Sequence, residues 1–237
     1  MPRRLSALAT LLLLAACRSA GPGAAPAPAA DIAPWEFAPG DAPSQRLFRA
    51  QVRRAGEHGS LRLVLRVWGP ARFEVSASDP LGRPVWAVTV RDAQGSWSEE
   101  GGRHVCRLDP SRPVLWPRLG LTLPAADLAA VLLGRLPEAP AAGTILPGSS
   151  GSVRFLDREG QAWDLELADG RLTRWSLVGQ AGALTWRREE SGGRLAADAA
   201  QLEIQWREVA REPLGGTAPA LPPGLDAAPE CAFDALP

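Results

Sequence analysis

The sequence predicts a mainly β domain: a wide antiparallel sheet with one apolar face, which curls because it is wide, interrupted by one short amphipathic helix. Three observations carry this. Apolar and polar residues alternate with period 2 through most of residues 45–212. Short clusters rich in glycine, aspartate and serine separate the alternating runs. A single stretch has helical spacing instead, and it falls between two series of strands.

In chain order, "LFRAQVRR" from Leu47 and "SLRLVLRVW" from Ser60 alternate apolar residues with arginine, and His58 falls in the turn between them. "RFEVSAS" from Arg72 sets Phe73 and Val75 on one face. Asp79-Pro80-Leu81-Gly82 is a tight turn, since proline presets the second dihedral and glycine suits the fourth position, so Leu81 points at water. "VWAVTVRD" from Val85 follows, with Trp86, Val88 and Val90 on one parity, and "RHVCRLD" has strand character around Cys106. In residues 121–140 Pro124 stands where a first helical turn accepts it, Leu128, Val131 and Leu132 share one face, and Gly134 is a stop. Further strands are "SVRFLD" from Ser152, "AWDLELADG" from Ala162, "RLTRWSLVG" from Arg171, "ALTWRRE" from Ala183 and "QLEIQWREV" from Gln201. Turns at 157–160, 169–170, 180–182 and 191–193 make these hairpins in series, about ten strands in all. A helix over the mouth of such a sheet leaves a hollow, lined or filled by Trp86, Val88, Leu128, Val131, Leu132, Trp163, Trp175, Trp186 and Trp206.

The flanks give the cellular setting. Met1-Pro2-Arg3-Arg4, an apolar run over residues 5–16 and then Cys17 make a secretory signal too short to span a bilayer. "LLAAC" at 13–17 resembles a bacterial lipobox, which implies that Cys17 carries acyl chains and anchors the protein. The next residue is Arg18, not the aspartate that retains such proteins at the inner membrane, and this points to the periplasmic face of the outer membrane. Residues 17–44, rich in alanine and proline, form a tether interrupted by Trp35 and Phe37, and residues 213–237 form a second Pro-rich tail.

Composition removes several function classes. All 26 basic residues are arginine and are balanced by 26 acidic ones with no basic run, so no nucleic-acid partner is expected. His58 and His104 have no second ligand at metal-binding spacing. The frame starting at Gly148 ends on Ser152 where a nucleophile elbow needs glycine. No catalytic group, metal or cofactor is expected. With Cys17 taken by lipid, Cys106 and Cys231 are an even pair in an oxidising compartment, either bridged or two unrelated thiols.

"RFEVSASDPLGRPVWAVTV" followed by "LTLPAADLAAVLLGRLPEAP" resembles the LolB outer-membrane lipoprotein receptor and its LolA-like relatives. The counterparts of the family's turn and helix motifs are Asp79-Pro80-Leu81-Gly82 and Leu133-Gly134-Arg135-Leu136-Pro137. The resemblance implies an incomplete antiparallel β-barrel with a helical lid over a hydrophobic cavity, which holds lipoprotein acyl chains or other lipid. It also implies delivery into the outer membrane by Leu81, with a periplasmic LolA-like carrier as partner. The chain departs from the family in Asp79, which replaces asparagine, in the long tether and in the extra tail. The family's N-terminal helix has only a short counterpart around residues 42–49. A non-catalytic structural or scaffold lipoprotein of the envelope is the alternative.

Overall fold

A computed structural model of the chain describes residues 42–231 apart from 70, 100, 138–143, 147–151, 157–160, 169–170 and 180–181. The signal-like segment, Cys17, the tether with Trp35 and Phe37, the start of the Gly148 frame and the turns at 157–160, 169–170 and 180–181 lie outside the described residues.

The first half is a meander of β1 (Ser44–Arg54), β2 (Glu57–Gly69), β3 (Arg72–Ser78), β4 (Pro84–Arg91), β5 (Gln94–Glu99) and β6 (His104–Leu108). A linking segment carries the two-stranded β7 (Val114–Trp116) and β8 (Leu121–Leu123) and the helix α1 (Ala125–Leu132). The second half runs through β9 (Thr144–Leu146), β10 (Ser152–Leu156), β11 (Ala162–Ala168), β12 (Arg171–Gly179), β13 (Gly182–Glu189), β14 (Gly192–Ala197) and β15 (Leu202–Pro213). The halves meet because β1 pairs with both β2 and β15, making one 13-stranded antiparallel sheet whose edges are β6 and β9. Those edges do not pair with each other. The sheet curls without closing into a barrel.

Alternation decides the faces. Phe48, Ala50 and Val52 of β1, the odd residues Leu61 to Val67 of β2, and Phe73, Val75 and Ala77 of β3 are buried on the inner face. The arginines between them take cross-strand partners on the outside, as in Arg66–Glu74 at 2.6 Å and Arg154–Asp164 at 2.6 Å. Exposed pairs of this kind contribute about 0–1 kcal/mol each, so burial of the inner face dominates the fold.

The link between the edges crosses that inner face. Trp116 of β7 packs on Trp86 and Trp97, with ring centroids 4.8 and 5.5 Å away. In α1, Ala125, Leu128, Ala129, Ala130, Val131 and Leu132 are all buried, so the helix is embedded on most sides. It ends in a Schellman motif: the Gly134 N–H donates to the Val131 carbonyl, the Arg135 N–H donates to the Ala130 carbonyl, and Gly134 adopts φ +70°.

Several expectations are corrected. Residues from Ser44 onward form a strand and not a short helix, since Phe48, Ala50 and Val52 bury with period 2. The helix is confined to 125–132 because Leu121–Leu123 pairs as β8 and Gly134 stops it. His58 is the second residue of β2 and does not sit in the turn. The Gly192-Gly193 pair is not a turn but the start of β14, opposite Arg207 and Trp206. A Cβ on Gly193 would lie 2.8 Å from both Trp186 Nε1 and Trp206 Cζ2, so glycine is there to admit two indoles. With β5, β9 and β14 added, the sheet has 13 strands where about ten were expected, and β7 and β8 pair separately.

Candidate functional site

The β3–β4 turn is organised by a buried carboxylate. Asp79, 3% exposed, accepts from the Leu81 and Arg83 N–H groups through Oδ1, both at 2.9 Å, and from Arg83 Nε through Oδ2 at 2.6 Å. Main-chain bonds from Gly82 N–H to the Asp79 carbonyl and from Asp79 N–H to the Arg83 carbonyl close the turn. Burial opposes ionisation of Asp79, but the Arg83 N–H and guanidinium, with the Leu81 N–H, outweigh it and hold the carboxyl below its ordinary value. The leucine at the tip is therefore presented by a fixed frame. Leu81 is 80% exposed; Val209, at 39%, is the other exposed large hydrophobic residue among those described.

Beside this turn is a cavity of about 940 Å³, between the β1–β2 hairpin (Val52, Arg54, His58), Asp79 and Arg83, and Trp116 on the link. Its volume falls in the range of ligand pockets, roughly 300–1,000 Å³. His58 and His104 are exposed, and among the described residues no cluster of His, Cys, Asp and Glu could hold a metal.

The nine residues expected at the hollow are all buried, in two groups. Trp86 and Val88 lie on the first half, where Trp86, Trp97 and Trp116 form a cluster with every indole N–H bonded: Trp86 to the Pro117 carbonyl, Trp97 to Glu99 Oε1 and Trp116 to the Leu123 carbonyl. Trp163, Trp175, Trp186 and Trp206 lie on the second half, with Trp163–Trp175 centroids 5.5 Å apart and Trp175–Trp186 stacked at 6.5 Å. There the N–H groups of Trp175, Trp186 and Trp206 are buried with no acceptor among the described residues. Leu128, Val131 and Leu132 of α1 are buried as well, and Leu132 also lines a second cavity at the β13–β14 turn. Cys106 and Cys231 are joined in a disulfide, and next to it the tail adds to the β6 edge through hydrogen bonds between Arg107 and both Pro229 and Cys231.

No protein-family model and no curated protein matches the sequence. Solved structures do match. A LolA superfamily protein from Nitrosomonas europaea is similar with a TM-score of 0.53, over 79% of this chain and 91% of that chain, at 12% identity. The chain has a LolA-like fold. An outer-membrane lipoprotein-sorting protein domain from Vibrio parahaemolyticus matches with a TM-score of 0.52 over 74% of this chain and 87% of that one, at 12% identity. A DUF1329 family protein from Desulfovibrio piger gives 0.52 over the same shares at 10% identity. At these identities the likeness is one of fold.

Within this LolA-like half-barrel, sequence reasoning missed the residues whose roles depend on distant partners. Trp97 and Trp116 complete the first tryptophan cluster, yet each lies in a short strand rich in Ser, Gly or Pro neighbours. Arg188 bonds the Leu172 and Gly134 carbonyls and lies 5.6 Å above the Trp186 ring. The role of Asp79 had a local signal, since aspartate at the first position of a turn bonds N–H groups two and more residues on.

Proposed function

We propose that this chain is a non-catalytic envelope lipoprotein, anchored through Cys17 at the periplasmic face of the outer membrane. It accepts lipoprotein acyl chains or another lipid on the inner face of its half-barrel and helps insert them into the bilayer through Leu81. The observation that carries the reading is Leu81, 80% exposed on a turn that a buried Asp79 holds in one shape. A disordered loop could hide a leucine; this frame cannot. The unpaired indole N–H groups of Trp175, Trp186 and Trp206 support a polar-headed apolar ligand, because a buried donor without acceptor costs about 1–3 kcal/mol and an ester carbonyl would satisfy it. A periplasmic carrier of the same fold is the partner this reading expects.

Leu81→Glu tests it with three measurements: thermal melting, binding of a fluorescent acyl-chain probe and transfer of the probe to liposomes. An exposed position changes stability by within about 0.5 kcal/mol, so melting and binding should hold. Burying a leucine in a bilayer is worth roughly 1.5–3 kcal/mol, so transfer should drop about ten- to a hundredfold. Undiminished transfer refutes the insertion role, and absence of saturable probe binding in the unmodified chain leaves a scaffold lipoprotein instead.

A further inference from the structure

We infer that the lipid held by this half-barrel carries a phosphodiester headgroup, seated between Arg171 and Arg188 in the cavity at the β13–β14 turn. The inference rests on the acyl-binding reading and adds the ligand's charge and the position of its head. This cavity, about 580 Å³, lies on the opposite run of turns from Leu81. Its apolar walls are Phe48, Leu132 and Val209, and its rim is arginine-rich.

Most charges there are already committed. Arg46 pairs with Glu208, and Glu189 accepts from Arg194 and Gln205. Arg171, Arg188 and Arg211 have no carboxylate within ion-pair distance among the described residues, against Glu190 as the remaining acid of the cavity. Arg171 and Arg188 stand at the ends of the adjacent, paired strands β12 and β13 and line the same cavity, and Arg188 feels the charge of Arg171. Arg188 cannot swing away. Its Nε and Nη2 are held by the Leu172 and Gly134 carbonyls at 2.8 and 2.9 Å, and its plane rests over Trp186. Neutral acceptors orient this guanidinium without neutralising it, and burial together with Arg171 lowers its pKa from the ordinary value.

One oriented guanidinium, that of Arg188, and the exposed Arg171 lining the same cavity form half of a site. A phosphate's oxygens accept from two guanidinium forks at once, which a single carboxylate does less well. The apolar walls beside them suit the first carbons of an acyl chain. An amphiphile with a phosphate head and acyl chains fits both features.

The test compares dioctanoyl phosphatidylglycerol, dioctanoylglycerol and inorganic phosphate on the purified full chain, with binding read by native mass spectrometry and tryptophan fluorescence. Phosphatidylglycerol should bind about tenfold or more tightly than dioctanoylglycerol. Arg171→Gln, at an exposed position, should leave melting unchanged and remove most of that preference, while dioctanoylglycerol binding stays as it was. Equal binding of the two lipids, or a preference that survives Arg171→Gln, overturns the headgroup seat and leaves the acyl-binding reading standing. No binding of either lipid overturns both. Displacement of phosphatidylglycerol by inorganic phosphate at equal concentration would assign the arginines to a free anion and overturn the lipid.

Discussion

Gly193→Ala distinguishes a strand from a turn and tests the packing of the second tryptophan group. Gly193 is buried, and its φ lies outside the left-handed region, so an alanine backbone is tolerated. Replacing glycine at such a position normally stabilises by about 0.4–1 kcal/mol through the unfolded chain. Here the new methyl would stand 2.8 Å from Trp186 Nε1 and Trp206 Cζ2, where apolar contacts settle near 3.5–4.0 Å. Both indoles are buried, 0% and 3% exposed, and cannot retreat into solvent. Overpacking of this kind costs about 1–3 kcal/mol, which outweighs the entropic gain and leaves a net loss of about 1–2 kcal/mol. For a chain of this size that lowers the melting temperature by about 2–8 °C. Gly59→Ala is the control: it lies in β2 with no atom within 4 Å of a Cβ and should be neutral or slightly stabilising. Melting curves and tryptophan fluorescence of both variants decide it, and a Gly193→Ala protein as stable as Gly59→Ala would refute the assignment of β14.

Two further outcomes follow from the described contacts. The Cys106–Cys231 bond spans 125 residues of sequence, so replacing both cysteines by serine should lower stability by about 4–5 kcal/mol on the chain-entropy estimate, read by urea unfolding; an unchanged midpoint would show that the tail adds nothing. Asp79 is held below its ordinary pKa of 3.8, so its contribution to the turn is present above that pH and is lost as pH falls through the lowered value. Hydrogen exchange at the Leu81 and Arg83 amides should therefore gain an acid-labile component in the native protein that is missing from Asp79→Asn, and identical pH profiles would exclude the carboxylate as the turn's organiser.

What the sequence made legible was local. Period-2 burial gave the faces of β1 to β4, Gly134 gave the end of α1, and the four residues from Asp79 gave the exposed leucine. What stayed hidden depends on contacts between distant segments. Nothing near Ser44 announces that β1 will pair with β15, because that pairing is paid for by loop closure across most of the domain. Gly192 and Gly193 have the composition of a turn, and only the close β15 backbone at Trp206 and Arg207 for the first, and the indoles of Trp186 and Trp206 for the second, explain them. Arg171 and Arg188 look like two more solvent-facing arginines until α1 brings the Gly134 carbonyl to one of them.

The two halves of the inner face differ in a way that assigns them different work. In the first half the link is tied to the sheet: Trp86 of β4 donates to the Pro117 carbonyl, so lifting β7 from the sheet exposes three large rings and breaks that bond. In the second half the embedded α1 has apolar contacts and the Arg188 bond to the Gly134 carbonyl, while Trp175, Trp186 and Trp206 keep donors with no acceptor among the described residues. Because α1 is a helix outside the sheet, its movement away from β13 and β14 breaks no ladder hydrogen bond. A ligand entering beneath α1 therefore replaces apolar contact with apolar contact and adds bonds to the indoles. The same ligand at Trp86, Trp97 and Trp116 would only remove bonds. On this physical ground the proposed lipid site belongs to the second half, next to Arg171 and Arg188, and Leu81 projects from the first half, where every indole N–H of the tryptophan cluster is bonded.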